Sequence, residues 1–238
     1  MTTTRHADPD GALTLAFVRG VLPGKWQRVW DERHPGAPLL LVPTDQDGQL
    51  DPLAAGTADM ALVRLPIDID PETTHLIPLY EELAVVLLSA DHDLAAAEEL
   101  TLADLEGEVV HPSDVALSAA ALGETVEIVR AGVGVLVLPQ SVARIAGGKG
   151  LEWRILSDAP PTRIALAWPR PADDVDRALA DDLEDFVGVV RGRRAGSSRG
   201  RQPEPEPQPE KRRAEQKKPT KRTPPRPRTP RGNRSGRR

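Results

Sequence analysis

Three cations, Arg19, Lys25 and Arg64, stand where a small anion could be held. Ligands of open α/β sheets bind beyond the carboxyl ends of the strands. The informative positions are therefore those that follow apolar runs: Arg19 and Gly20 after Leu13–Val18, Thr44 after Leu39–Val42, Arg64 after Met60–Val63, and His111 after Val110. Lys25 falls in the first turn of a helix opened by Pro23, where free backbone N–H groups already favour negative charge. A guanidinium adds a two-pronged grip on a carboxylate. Together these residues form a candidate carboxylate-binding constellation. The competing reading is that Arg19 and Arg64 simply pair with surface acids, each pair contributing about 0–1 kcal/mol.

Other chemistries fit the residues less well. His111-Pro112-Ser113-Asp114 sets three catalytic-triad residue types side by side, whereas a triad needs them to converge from separate elements beside an oxyanion hole. A turn accounts for the tetrapeptide, and no catalytic residue is assigned. The five histidines, His6, His34, His75, His92 and His111, never fall at metal-site spacings. Asp45-Gln46-Asp47-Gly48 starts like a calcium loop but lacks the later ligands. Cysteine is absent, which removes thiolate nucleophiles and Cys-ligated metals. No metal and no cofactor are expected.

The positioning elements follow from hydrophobic patterning. Leu13–Val18, Leu39–Val42, Met60–Val63, Leu83–Leu88, Val135–Leu138 and Ile164–Trp168 read as buried strands. Trp26, Val29, Trp30 and Arg33 recur at helical spacing, and that helix stops at His34-Pro35 because the residue before a proline disfavours helical angles. Gln49–Ala55 reads as a short helix closed by Gly56 and bent by Pro52. Thr101 and Asp104 make a capping box over Leu102–Leu105. Helices are expected over Glu124–Arg130, from Pro139 through Ile145, and over Asp173–Val190, the last burying a stripe of Leu179, Leu183, Phe186, Val187 and Val190. Strands alternating with helices imply a parallel sheet with helices on its faces. The four tryptophans, Trp26, Trp30, Trp153 and Trp168, read as packing residues.

Charge divides the chain into two pieces. Residues 1–190 hold 13 basic and 32 acidic side chains, a net −19, and residues 191–238 hold 18 and 4, a net +14. The second piece has nine prolines and, besides them, only Ala195 and Ala214 as apolar side chains, too little to offset the entropy of ordering it. It is expected to be a disordered basic tail. Two roles remain open for it: non-specific, salt-sensitive contact with nucleic-acid phosphates, or folding back on the acidic body. The start of the chain, with Asp8 and Asp10 ahead of a short apolar run, does not read as a secretory signal. Ala131–Ala143, the longest nearly uncharged stretch, is interrupted at Pro139 and falls short of the ~18 residues that span a bilayer. A cytoplasmic location without membrane association is the expectation.

Four segments, in order, carry a family likeness. They are Leu22-Pro23 entering a helix that ends Glu32-Arg33-His34-Pro35; Leu53 to Arg64, with Gly56, Asp59 and Ala61 at fixed offsets; Leu83–Leu88 followed by Asp91-His92-Asp93-Leu94; and Val129 to Pro139, with Gly132 and Gly134 between valines. The chain resembles the effector-binding domain of LysR-type transcriptional regulators. The resemblance implies an α/β, two-lobe fold of the periplasmic-binding-protein-like type II class. It implies a flexible stretch at 1–12, a domain at 13–190 (first lobe 13–82 and 161–190, second lobe 83–160) and the tail at 191–238. Between Val110 and Val126 the chain is shorter than the family pattern, so a trimmed second lobe is expected.

By the same resemblance the protein is not an enzyme but a sensor of a small anionic metabolite that controls transcription. The family's DNA-reading winged helix-turn-helix precedes its first effector-domain strand, and here that strand begins at Leu13. Output is therefore expected through a partner, a second copy of the chain, or the tail. Two alternatives stay open. One is a nucleic-acid-associated protein anchored by residues 191–238. The other is an enzyme of the same fold, since Thr162-Arg163-Ile164 is similar to the Thr-Arg-Phe of prephenate dehydratases.

Overall fold

The structure, a computed structural model, describes residues 12–113, 118–170 and 177–192. The expectations for the N-terminal stretch and the basic tail, and the last residue of His111-Pro112-Ser113-Asp114, lie outside the described residues.

Fifteen elements follow one another: β1 (Leu13–Val18), α1 (Gly24–Arg33), β2 (Leu39–Thr44), α2 (Asp51–Ala54), β3 (Met60–Leu65), β4 (Thr74–Glu82), β5 (Ala84–Ser89), β6 (Glu99–Leu100), β7 (Val110–His111), α3 (Ala119–Arg130), β8 (Val135–Pro139), α4 (Gln140–Ala146), β9 (Leu151–Leu156), β10 (Thr162–Pro169) and α5 (Arg177–Val190). Short 3-10 turns occupy Asp93–Ala96 and Leu102–Leu105, the latter closed by the Thr101–Asp104 capping box read from sequence. No helix among the described residues is long and apolar enough to cross a membrane.

The strands form two sheets of five, ordered β2-β1-β3-β10-β4 and β6-β9-β5-β8-β7. In the first, β1 runs parallel to both β2 and β3, with Val18 beside Thr44 and Phe17 beside Leu62. The returning strand β10 is antiparallel to β3 and β4, with a register shift between Ile164 and Ala165. In the second sheet β5 lies between β8 and β9, antiparallel to each.

Each sheet has its own core. Trp26, Trp30, Phe186 and Leu183, from α1 and α5, cover one face of the first sheet together with Leu15 and Leu62. The opposite face is built from alanines, Ala16, Ala61, Ala165 and Ala167, which lets α2 and its flanking loops approach closely. Trp30 meets Phe186 edge-on at 5.7 Å, stacks on His34, and donates its indole N–H to the Ala37 carbonyl at 2.7 Å. That is the arrangement a large buried ring with one polar atom requires. Leu122, Val126 and Val129 of α3 pack with Val142 of α4 on the second sheet. Leu100, Leu105 and Leu156 fill its other face.

Four strands escape the patterning, two of them, β6 and β7, only two residues long. β4 carries a proline, a histidine and two glutamates in nine residues and is mostly half-exposed, so it offers no apolar run. β9 is likewise half-exposed along its middle, at Trp153, Arg154 and Ile155. Pro52 was expected to bend its helix, but it occupies the first turn of α2, where its missing N–H leaves no bond unmade. Helix α3 begins at Ala119, five residues before the helix read from Glu124.

Gly134 sits at φ +73°, and a Cβ there would lie 2.9 Å from the Val109 Cβ and press on the Val109 carbonyl, which accepts from the Val135 N–H as β8 starts. Gly123, in contrast, lies exposed inside α3 with nothing near its absent Cβ. Gly134→Ala is expected to lose about 1–3 kcal/mol from its backbone conformation alone. Gly123→Ala should gain about 0.5–1 kcal/mol. Urea unfolding of the two variants, moving in opposite directions, checks this.

Candidate functional site

The carboxyl ends of β1 and β3 face the start of α4, and the residue after β2 faces the start of α3, across the seam between the two lobes, with Arg64 at its centre. Every side chain of β3 from Met60 to Arg64 is buried, and Arg64 itself is 1% exposed. Its Nε donates to Glu82 at 2.9 Å, its Nη1 to Gln46 Oε1 at 2.8 Å, and its Nη2 to the Arg19 carbonyl and to Ser141 Oγ, both at 3.1 Å. Gln49 holds the backbone of the same residue from both sides: its Oε1 accepts from the Arg64 N–H at 2.8 Å and its Nε2 donates to the Arg64 carbonyl at 3.1 Å. Four hydrogen bonds, one of them the buried ion pair with Glu82, saturate the guanidinium almost completely.

Arg64 was expected to stand over an opening; it is buried instead. β3 runs between β1 and β10, so its end is roofed by neighbours on both sides, and a charge buried there must be met by protein groups. Arg64 organises the site from beneath.

Arg19 does reach the opening. Its Nη2 pairs with Asp45 Oδ1 at 2.8 Å, both side chains being about a third exposed, while its Nε is buried without a partner among the described residues. Asp45 also crosses the seam: its Oδ2 accepts from the backbone N–H of Ala119, 3.2 Å away in the first turn of α3. The hydrogen bond from Arg19, followed by that from Ala119, holds the Asp45 carboxyl below the usual carboxylate range. Beside this pair, Gly20 at φ +92° lies so close to Ser141 that a Cβ would come within 2.5 Å of its Oγ. Thr44, at the end of β2 next to Asp45, donates its hydroxyl to the Gly48 carbonyl at 3.2 Å.

The structure therefore gathers Arg19, Gly20 and Thr44 at one place with Arg64 behind them. His111 stays apart, as the last residue of β7, with its imidazole Nε2 2.7 Å from the Val133 carbonyl ahead of β8. Lys25 lies over the Trp26 ring, 4.3 Å from its centroid, rather than beside Arg19. Arg163 of the dehydratase-like tripeptide pairs with Glu81 at the start of β10. Sequence reading missed Asp45, Gln46, Gln49, Glu82 and Ser141. The one available signal was the pair of amides flanking Gly48, polar residues ahead of a helix too short to bury them.

Residues 6–111 match the family model of the LysR substrate binding domain. The Hca operon transcriptional activator HcaR of Escherichia coli is 26% identical over 214 residues, spanning 78% of this chain and 69% of that protein. A probable hydrogen peroxide-inducible genes activator of Mycobacterium avium is 31% identical over 183 residues, 66% of this chain and 58% of that protein. In sequence, residues 6–111 are thus similar to the LysR substrate binding domain. Solved structures agree on the fold: a mutant of Corynebacterium glutamicum OxyR superposes with TM-score 0.60 at 22% identity, over 79% of this chain and 66% of that one. The effector binding domain of a BenM variant does so with TM-score 0.56 at 18% identity, over 76% and 95%. The chain spans between about three fifths and seven tenths of the length of the two curated relatives.

Removing one partner of a buried ion pair leaves the other charged and unmatched, at a cost of about 3–5 kcal/mol. Arg64→Ala and Glu82→Ala should each lose that much in urea unfolding, and the double variant should lose clearly less than the sum. Additive losses would show that the two side chains are not coupled.

Proposed function

We propose that this LysR-type domain binds a small anionic effector between its lobes and passes the resulting lobe arrangement to a transcription-controlling partner. The observation that carries this reading is the Asp45 carboxylate, held at once by Arg19 at 2.8 Å and by the α3 N-terminal N–H of Ala119 at 3.2 Å. An effector carboxylate finds the same donors there: a guanidinium from one lobe and a helix start from the other. Arg19, Gly20 and Thr44 are the proposed contacts, with Arg64 as their support. The relatives' names, activators of an operon and of peroxide-inducible genes, favour an effector-sensing role. With no cysteine in the chain, a thiol-based response to peroxide is not open to it, so reversible ligand binding is the mode that fits. The output passes to a protein partner or a second copy, the domain being placed in the cytoplasm with other regulators of transcription.

A second reading rests on the 18 basic side chains among the last 48 residues: nucleic-acid retention through 191–238, without base recognition. Truncation after residue 190 separates the two. A sensor keeps its effector affinity, whereas an anchor loses salt-dependent DNA retention.

A thermal-shift screen of the full chain against small mono- and dicarboxylates tests the first reading. A true effector at 100 times its Kd adds about 2.7 kcal/mol of stability. Arg19→Ala should abolish that gain, and Asp45→Asn, which weakens the internal competitor, should tighten binding several-fold. No stabilising carboxylate, or one whose effect survives Arg19→Ala, overturns the proposal.

A further inference from the structure

Helix α3 starts without a cap of its own. Ser118 stands at its N-cap with extended backbone, yet its hydroxyl makes no capping bond, and the first turn holds no acidic side chain. The first N–H groups of a helix find no acceptor within it, and the ladder of α3 begins with the bond from the Leu122 N–H to the Ser118 carbonyl. The acceptor that meets the Ala119 N–H is Asp45 Oδ2, 74 residues earlier in the chain and just beyond β2. α3 packs on the second sheet through Leu122, Val126 and Val129, whereas β2 is an edge of the first. A helix of one lobe is thus capped from the other.

Asp45 is firmly placed on its own side. Its Oδ1 takes the Arg19 guanidinium at 2.8 Å, the Arg19 carbonyl accepts from Arg64 Nη2, and the next residue, Gln46, accepts from Arg64 Nη1. Arg64 is held in turn by Glu82. With its oxygens met by Arg19 and by Ala119, the Asp45 carboxyl titrates below its usual range and stays charged. An anion at the positive end of a helix dipole is stabilised there. The longest bond of the series, at 3.2 Å, is the one that crosses to Ala119. Arg64 and Ser141 join the seam at α4; Asp45 joins it at α3.

We infer that Asp45 is a latch between the lobes: anchored by Arg19, its carboxylate serves as the N-cap that α3 lacks, so that parting the lobes uncaps the helix and loosens its first turn. The latch is intramolecular and works with the cleft empty, which takes it beyond the effector reading. Where that reading holds, a carboxylate accepted by Arg19 competes with Asp45 for the guanidinium and repels its charge, and the bond to Ala119 is released; this consequence rests on the proposed function. Cleft occupancy then reaches α3 as a change in the order of one helical turn, through the ligand's unequal affinity for the latched and unlatched states.

Hydrogen exchange of the full chain, unsubstituted and as Asp45→Ala, tests the inference together with a distance between the lobes. The chain has no cysteine, so Glu32→Cys on α1 and Glu106→Cys in the second lobe, both at exposed positions, carry spin labels at two defined points. Asp45 is part-exposed, so Asp45→Ala should stay folded, with cooperative thermal unfolding as the check. Its amides at 119–122 should exchange roughly 5-fold faster, the effect of losing a helix cap. Those of α5 should not change, and the distribution of inter-label distances should broaden. Adding Ser118→Asp supplies a local cap, which should restore slow exchange at 119–122 and leave the distances broad. Unchanged exchange at 119–122 overturns the inference. Faster exchange with unchanged distances makes Asp45 a cap and no latch, and overturns it too. So does recovery of the narrow distances by Ser118→Asp. The effector reading fails separately, when no carboxylate stabilises the chain, and that result leaves the latch standing.

Discussion

A buried guanidinium dictates the centre of this molecule. Arg64 sits at 1% exposure on a strand flanked by two others, and a charge in that position is stable only if its surroundings meet it with hydrogen bonds and an opposite charge. The requirement recruits the end of β1 through the Arg19 carbonyl, the loop after β2 through Gln46, the approach to α2 through Gln49, the end of β4 through Glu82 and the start of α4 through Ser141. Five separate pieces of chain are thereby held in one geometry. A buried ion pair adds little net stability over an apolar replacement. What this network supplies is position: it fixes where Arg19, Asp45, Glu82 and Ser141 stand.

The seam it governs is polar in a molecule whose cores are not. Among the described residues, none of the four apolar clusters mixes side chains from both sheets. Among the described residues the lobes meet instead through discrete contacts: Arg64 with Ser141, Asp45 with Ala119, and the close approach of Gly20 to Ser141. Little apolar area resists a change in their relation, and each polar contact is worth on the order of 1 kcal/mol. Differential binding of that size is within reach of a small ligand. A sheet pair with separate cores and a hydrogen-bonded seam is therefore suited to report occupancy as geometry, in keeping with its LysR-type fold.

The acidity of the body gives the cations their meaning. Arg19 is matched by Asp45, Arg163 by Glu81 and Arg64 by Glu82, as expected where carboxylates are abundant. Other cations, among them Lys25, Arg28, Arg144 and Lys149, have no carboxylate within ion-pair distance among the described residues. Charge counted along the chain shows none of this, because it turns on which partners lie within a few ångströms.

By itself the sequence determined the local order. The apolar runs set β1, β2, β3, β5, β8 and β10, the periodic tryptophans set α1, and Thr101 with Asp104 closed their turn, because burial period and capping are properties of neighbouring residues. Four spaced motifs sufficed for the likeness to the LysR substrate binding domain and for its two-lobe fold. Strands β4 and β9 escaped, since half-exposed strands take their conformation from the ladder they join rather than from their own composition. The geometry was legible only in part: the strand-end rule picks out Arg19, Gly20 and Thr44, which lie near one another, but not the burial of Arg64. Whether an arginine at a strand end faces a ligand or a glutamate 18 residues further on is decided by which strand returns beside it. Only the tertiary structure brings Gln46, Glu82 and Ser141 around that guanidinium, because desolvation and hydrogen bonding act through space, and the residues that satisfy a buried charge need no fixed spacing from it in the chain.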